Sequence, residues 1–126
     1  MAHGPYLAAA PHRFLGEVVD TGQCVRFVQQ AADVPMTPKW RAGPKVRGNA
    51  SIQPGTAIAT FERDGTYTSA PGNHAAIYIG QTDDGILVYD QWRRQPVHKR
   101  LIRFAGGGNA DDGSKSNDGD LYRVIR

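Results

Sequence analysis

The chain has 126 residues, a formal charge of +3 and a pI of about 9.2, and this length suits one domain with a single hydrophobic core. Its one cysteine excludes an internal disulfide, and no apolar run approaches the ~20 residues that cross a bilayer. The mild basic charge favours an anionic partner, which a nucleic acid, an acidic lipid surface or a bacterial wall polymer would each satisfy.

Residues 1–13, which contain His3 and His12, predict an irregular N-terminal arm. The arm lacks the basic segment and the long apolar core of a secretory signal, so we expect no signal peptide. Further along, Asp20 and Thr21 are residue types that favour the N-cap of a helix, and they indicate that a helix follows.

That helix is predicted over residues 22–32. Apolar side chains recur at the spacing of one helix face at Cys24, Phe27, Val28 and Ala31. Cys24 is therefore expected in the first helical turn, where the positive end of the helix dipole favours the thiolate. This position suits a nucleophile, and the alternative is an inert buried thiol, the common state of a lone cysteine.

The remainder of the chain predicts β-structure. Residues 35–51 hold three prolines and indicate a long connection anchored by Trp40. Five strands are predicted from apolar and β-branched segments at 56–61, 74–80, 86–92, 97–104 and 121–125. Residues 105–120 predict a flexible loop that lacks the ligand pattern of a calcium loop, so we expect no metal there. The order of elements predicts an α+β fold in which the N-terminal helix packs on an antiparallel sheet of about five strands.

His74 opens an apolar strand, so its ring is expected at the rim of a buried sheet rather than in solvent. A hairpin turn at 81–85 pairs this strand with the next one in one of two registers, and both registers place His74 and Asp90 on the same sheet face. In the tighter register the two residues are direct neighbours, with Cβ atoms ~5 Å apart. A carboxylate there would orient the imidazole toward the Cys24 thiolate, as nucleophilic catalysis requires.

The non-catalytic alternatives are a capped histidine at the strand start and a solvated carboxylate at the strand end. His98 is the second choice for the orienting partner and Asn73 the third. Gln23, directly before the cysteine, is expected to help form an oxyanion hole with the unpaired backbone N–H groups of the helix start.

Four aromatic side chains are candidates for the walls of a substrate groove, although most aromatic residues serve the core. They are Trp40, Tyr67, Tyr78 and Trp92.

Three segments resemble known motifs. Residues 22–28 (GQCVRFV) resemble the cysteine motif of CHAP domains and the related NlpC-type hydrolases, residues 53–61 (QPGTAIATF) resemble their Pro-Gly strand, and residues 74–80 (HAAIYIG) resemble their histidine strand. The resemblance covers roughly residues 15–92 and implies a minimal papain-like domain, and we expect residues 1–126 to form this single domain. One departure is Thr56, which stands where these families usually carry an acidic residue.

The resemblance also implies a function. Such domains hydrolyse peptidoglycan amides, either the N-acetylmuramoyl-L-alanine bond or a bond within the stem peptide, and small members are similar to type VI secretion amidase effectors, which travel with an immunity protein. We therefore expect an antibacterial enzyme with no cofactor, made in the cytoplasm, exported by a specialised system and acting as a monomer in the periplasm of a target cell. We expect neither a nucleic acid partner nor a membrane span.

Two alternatives remain open at this stage. The same thioester chemistry would serve acyl transfer to an amine in place of hydrolysis. A non-catalytic module could use the papain-like fold and the basic surface to bind cell wall or another anionic partner. A zinc site is disfavoured because one cysteine and scattered histidines lack the ligand spacing of such sites.

Overall fold

The computed structural model describes residues 5–110 and 113–126, so His3 and the start of the predicted arm lie outside the described residues. In this part of the chain there are one α-helix, α1 (Cys24–Ala32), and six strands in a single antiparallel sheet. The strands are β1 (Ala42–Lys45), β2 (Ala57–Ala59), β3 (Ala75–Gln81), β4 (Gly85–Trp92), β5 (Gln95–Arg103) and β6 (Arg123–Ile125). Their order across the sheet is β1-β6-β2-β3-β4-β5. The predicted α+β class is thereby confirmed, including the helix that carries the cysteine.

The sheet has one strand more than the sequence predicted. The additional strand is β1, which lies within residues 35–51, where the prolines predict a connection. Gly43 and Pro44 disfavour strand structure by propensity, but proline is tolerated on an edge strand, and β1 is the edge next to β6. A Cβ at position 43 would lie 2.8 Å from the carbonyl oxygen of Val124, so the close approach of β6 requires glycine there.

The helix begins later than its predicted N-cap residues. Gln23 is the N-cap and Cys24 the first helical residue, whereas Asp20 adopts a left-handed conformation (φ 56°) in the preceding turn. Gly22 has φ 88°, a conformation that glycine adopts without steric penalty. The helix ends at Ala32, and its C-cap Asp33 is also left-handed.

The helix packs on a sheet face built from small residues. Phe27 and Val28 are fully buried against Ala57, Ala59, Ala75 and Ile77. Three of those four sheet residues are alanine, so the helix backbone approaches the sheet closely. This proximity brings the N-terminus of α1 to the start of β3.

The other sheet face forms a second core of larger side chains. Ile58, Tyr78, Ile86, Val88 and Ile102 lie there and are covered by Val46 and Tyr122 from outside the central strands.

The loop between β5 and β6 is organised by one buried acidic residue. The Asp118 carboxylate accepts hydrogen bonds from the backbone N–H groups of Ala105, Gly107 and Asp120. The described part of the N-terminal arm is hydrogen-bonded to the segment at the start of β2. The carbonyl oxygen of Tyr6 accepts from the backbone N–H of Ala57, and the backbone N–H of Ala8 donates to the carbonyl oxygen of Gly55. Within the described residues, no helix has the length and apolarity that a membrane crossing requires.

Near its open end, the β3–β4 hairpin adopts the wider of the two predicted registers and not the tighter one, in which His74 and Asp90 are directly opposed. Ile77 pairs with Tyr89 and Tyr78 with Val88, and the pairing shifts by one residue nearer the turn. Continued toward the strand start, this register sets Asp90 opposite Ala76, two residues from His74. The two side chains are therefore diagonal neighbours on one face rather than directly opposed.

Candidate active site

The turn before Cys24 is held to β4 by Gln91. Its Oε1 accepts from the backbone N–H of Val19, and its Nε2 donates to the carbonyl oxygens of Val19 and Gln23, each at 2.9 Å. Gln91 is fully buried and follows Asp90 in the chain. One strand therefore fixes both the start of the cysteine helix and the carboxylate.

His74 links the cysteine to that carboxylate. Its Nε2 lies 2.7 Å from Oδ2 of Asp90, in a contact buried from solvent. The other ring nitrogen remains for Cys24, which lines the same cleft as His74, and hydrogen bonding from His74 and from the backbone of Ala75 lowers the pKa of the Cys24 thiol. The Tyr67 hydroxyl lies 3.9 Å from the Cys24 sulfur. The structure thus brings together the three residues that the sequence singled out.

The environment favours a charged pair of cysteine and histidine. Burial by itself raises the pKa of Cys24, but the hydrogen bond and positive charge of His74 outweigh it and hold that pKa below the ordinary thiol value. Burial by itself lowers the pKa of His74, but hydrogen bonds to Asp90 and Cys24 raise it to about 9. Both shifts favour the charged forms, the Cys24 thiolate over the thiol and the His74 imidazolium over the neutral ring.

Asp90 has two further cationic or polar neighbours on β5. Arg100 donates through Nε to Oδ2 at 2.8 Å. His98 Nε2 lies 3.0 Å from Oδ1, although the angles do not form a hydrogen bond. Burial raises the pKa of Asp90, but His74 and Arg100 lower it further than burial raises it. The carboxylate consequently stays ionised and available to His74.

A cleft of about 480 Å³ opens onto the sulfur. It is lined by the first turns of α1 and by His74, Tyr67, Asn73 and Trp92. Trp92 and Met36, which also line it, expose large apolar surface to solvent. The cleft can therefore hold an extended ligand with apolar and polar parts against the thiolate.

The structure places some of the predicted substrate residues in this cleft and others elsewhere. Gln23 and Trp92 line it, and the Gln23 side chain makes no capping hydrogen bond that would occupy it. Trp40 does not reach the cleft, because its ring is fully buried against Tyr67 and its Nε1 donates to Pro35.

Tyr78 is also absent from the cleft. It shares the sheet face of His74, but it lies four residues further along β3, which corresponds to roughly 13 Å of strand. Its hydroxyl accepts from Gln81 beside a separate cavity of about 410 Å³.

The other two choices for the orienting partner are placed differently. His98 contacts Asp90 rather than His74. Asn73 donates to Glu62 and accepts from Thr60, so its amide supports the loop that leads into β3.

Two residues of the site were not identified from the sequence. Arg100 lies among basic residues, a setting typical of a solvated strand surface, although it is two residues beyond His98 and has the same strand parity. That parity, combined with the pairing of Asp90 and His98, was the available signal. Gln91 gave no signal, because its partners are backbone atoms of a distant turn.

The chain is similar over most of its length to a family of known proteins. A family model described as domesticated amidase effector 2 matches residues 2–125. A type VI secretion amidase effector 2 protein of Salmonella typhi is 37% identical over 111 residues, which cover 82% of this chain and 84% of that protein. A domesticated amidase effector 2 of Ixodes scapularis is 40% identical over 115 residues, covering 85% of this chain and 72% of the relative.

A solved structure, that of a type 6 secretion amidase effector 2, superposes with a TM-score of 0.86 at 36% sequence identity. The superposition covers 98% of this chain and 95% of that one. These similarities confirm the resemblance to small type VI secretion amidase effectors that the three sequence segments predicted.

Proposed function

The chain belongs to the domesticated amidase effector 2 family, and from that membership we propose that it is a cysteine amidase that hydrolyses amide bonds of bacterial peptidoglycan. Cys24 is the nucleophile, His74 the base and then the acid, and Asp90 the residue that orients the imidazole. The observation that carries the proposal is the buried contact of 2.7 Å between His74 and Asp90, beside a thiolate that opens into the cleft.

The first half of the reaction forms a thioester. The Cys24 thiolate attacks the carbonyl carbon of the amide, and the oxyanion is stabilised by backbone N–H groups at the start of α1 together with the Gln23 side chain. The His74 imidazolium then gives its proton to the departing nitrogen as the C–N bond breaks. The products of this half are a free amine and an acyl group on the Cys24 sulfur.

The second half regenerates the enzyme. His74, now neutral, takes a proton from water, and the resulting hydroxide attacks the thioester carbonyl. The C–S bond breaks, the carboxylic acid leaves, and the proton held by His74 restores the thiolate–imidazolium pair. Asp90 stays ionised throughout, because Arg100 and His74 hold its pKa low.

Digestion of purified cell-wall sacculi tests the proposal. The wild-type protein should release new amino groups, and the masses of the two products of a defined muropeptide should sum to the mass of that muropeptide plus one water. Cys24→Ala should release none. Equal release by both proteins would refute the catalytic role of Cys24, and products joined to an added amine would indicate acyl transfer in place of hydrolysis.

We further propose that the chain is a single catalytic domain that acts as a monomeric effector. The type VI effectors among its relatives support delivery by that secretion route to the periplasm of a target cell, with an immunity protein in the producing cell. Expression in a bacterium with an added periplasmic leader should cause lysis, expression without the leader should not, and the Cys24→Ala form should be harmless in both places.

A further inference from the structure

Arg26 has an unsatisfied donor at the edge of the catalytic cleft. It is the third residue of α1, two positions beyond Cys24, and it lines the cleft. Its Nε is buried without a hydrogen-bond partner, and its Nη1 makes one long contact of 3.4 Å to Gln29. A buried N–H without an acceptor is energetically unfavourable, so a ligand that supplies an acceptor gains free energy there.

The cleft around Arg26 is positively charged. Arg93 lies at its exposed rim, and among the described residues that line the cleft there is no aspartate or glutamate. Neither arginine forms an ion pair with a carboxylate within residues 5–110 and 113–126. The helix α1 is nine residues long, and the positive end of its dipole lies at the same place.

We propose that Arg26, with Arg93 at the rim, forms a subsite for a free carboxylate of the substrate next to the amide that Cys24 attacks. This inference rests on the proposed function, whose substrate it narrows to stem peptides that carry a free acid rather than a carboxamide beside the cleaved bond. The planar guanidinium of arginine binds a carboxylate through two parallel hydrogen bonds, which gives orientation as well as affinity. Arg26 and Cys24 line the same cleft, so a carboxylate held by Arg26 belongs to the same bound segment of the substrate as the scissile amide.

The test uses two synthetic stem peptides that differ only in whether the carboxyl group beside the scissile amide is free or amidated. Their binding is measured by calorimetry on the Cys24→Ala protein, in which no turnover occurs. The free acid should bind about tenfold tighter or more, as expected for hydrogen bonds between charged groups. This preference should weaken with added salt.

Variants in the Cys24→Ala background assign the preference to residues. Arg26→Gln should bring the two affinities together, and Arg26→Lys should keep part of the preference, because it retains the charge but loses the two-pronged geometry. Arg93→Gln should reduce the preference to a smaller extent, since Arg93 is exposed. The matched control is Arg13→Gln, which changes the net charge equally at an exposed position outside the cleft and should leave the preference intact.

The outcomes separate this inference from the proposed function. Equal binding of both peptides to the Cys24→Ala protein would overturn the subsite, even if the active enzyme cleaves both. A preference that a folded Arg26→Gln protein retains in full would overturn it as well. Should Arg26→Gln fail to fold, the peptide pair and Arg93→Gln decide the matter. Failure of the active enzyme to cleave either peptide, combined with a clear binding preference, would count against the proposed reaction and leave the subsite standing.

Discussion

The Cys24 side chain combines burial with a neighbouring imidazolium, two influences that act on its pKa in opposite directions. In a free thiol the pKa is about 8.5, and a nearby cation at a helix N-terminus lowers it. The hydrogen bonding and positive charge of His74, with the backbone of Ala75, outweigh burial, lower the pKa of Cys24 and so favour its thiolate over its thiol.

The kinetics of Cys24 alkylation test whether the pKa of this thiol is lowered. The rate of reaction of native protein with iodoacetamide should reach half its maximum at a pH well below ~8.5, because the rate follows the thiolate fraction. In His74→Ala the half-maximum should move upward, since burial remains and the cation is lost. Urea-unfolded protein supplies the ordinary thiol profile, and a native profile that coincides with it would contradict the charged pair.

Catalytic activity is expected to fall at high pH as well as at low pH. His74 has a pKa of about 9, so the imidazolium that protonates the leaving nitrogen is present below that pH and is lost above it. Activity should accordingly rise as the Cys24 thiolate forms and fall as the pH passes through about 9. The same raised pKa stabilises the fold below the ordinary histidine value, and this contribution disappears as the pH rises through about 9.

Two structural elements, α1 and the sheet, must keep a fixed separation for Cys24 to reach His74. The alanines beneath the helix set that separation. The adjacent residues Ala75 and Ala76 are both fully buried, but Ala75 belongs to the helix-facing core and Ala76 to the core on the other face.

Enlarging each alanine in turn separates stability from site geometry. Ala75→Val and Ala76→Val should each lower the free energy of unfolding by ~1–3 kcal/mol through overpacking. Only Ala75→Val should also lower kcat strongly, because the added methyl groups move α1 away from β3. Chemical denaturation and steady-state kinetics measure the two effects, and equal losses of kcat in both variants would contradict the role of the small residues.

The second contact between elements that positions Cys24 is the clamp, the three hydrogen bonds by which Gln91 of β4 holds the turn before α1. Gln91→Leu removes three hydrogen bonds and leaves buried backbone groups of Val19 and Gln23 without partners. We expect a loss of ~2–4 kcal/mol in unfolding free energy, since each buried unsatisfied group costs about 1–3 kcal/mol.

The Gln91→Leu change should lower kcat more than it raises KM, because it displaces the nucleophile rather than the cleft walls. Gln30→Leu, at an exposed helix position, is the control and should leave both constants near wild type. A Gln91→Leu protein with normal kcat would show that the clamp serves stability alone.

The molecule as a whole is closed by its C-terminal strand. β6 is inserted between β1 and β2, so residues at the end of the chain pair with strands from its first half. Ile125 is fully buried in the helix-side core. The sheet is therefore incomplete until the final residues are in place.

Ile125→Ala measures how much this closure contributes. The cavity left behind should lower the free energy of unfolding by ~2–5 kcal/mol. Ile52→Ala, at a half-buried position beside the other core, should lower it less. Urea titration with a spectroscopic readout compares the two, and a smaller loss at position 125 than at position 52 would contradict the central place of β6.

Several features of the fold and the site followed from local pattern. The 3.6-residue periodicity of Cys24, Phe27 and Val28 predicted the helix and its buried face. The two-residue periodicity of strands predicted that His74 and Asp90 share one sheet face, whichever register the hairpin took. Such regularities hold because backbone hydrogen bonding fixes the direction of side chains within one element and its immediate neighbour in the chain.

Other features depended on contacts between distant segments. Gly43 and Pro44 carry no local sign of a strand, and β1 exists because β6 returns to pair with it. Trp40 is of the residue type expected in a groove wall, but its ring is fully buried in the helix-side core. Arg100 and Gln91 acquired their roles only when β5 and the turn before α1 came to lie against β4.

The sequence by itself determined the family, the helix that bears Cys24 and the strand that begins after His74. The tertiary structure alone decided which side chains surround the carboxylate, which aromatics reach the cleft and where the last strand inserts. The physical reason is that these outcomes are set by which surfaces pack together, and packing partners far apart in the chain share no periodicity from which they could be predicted.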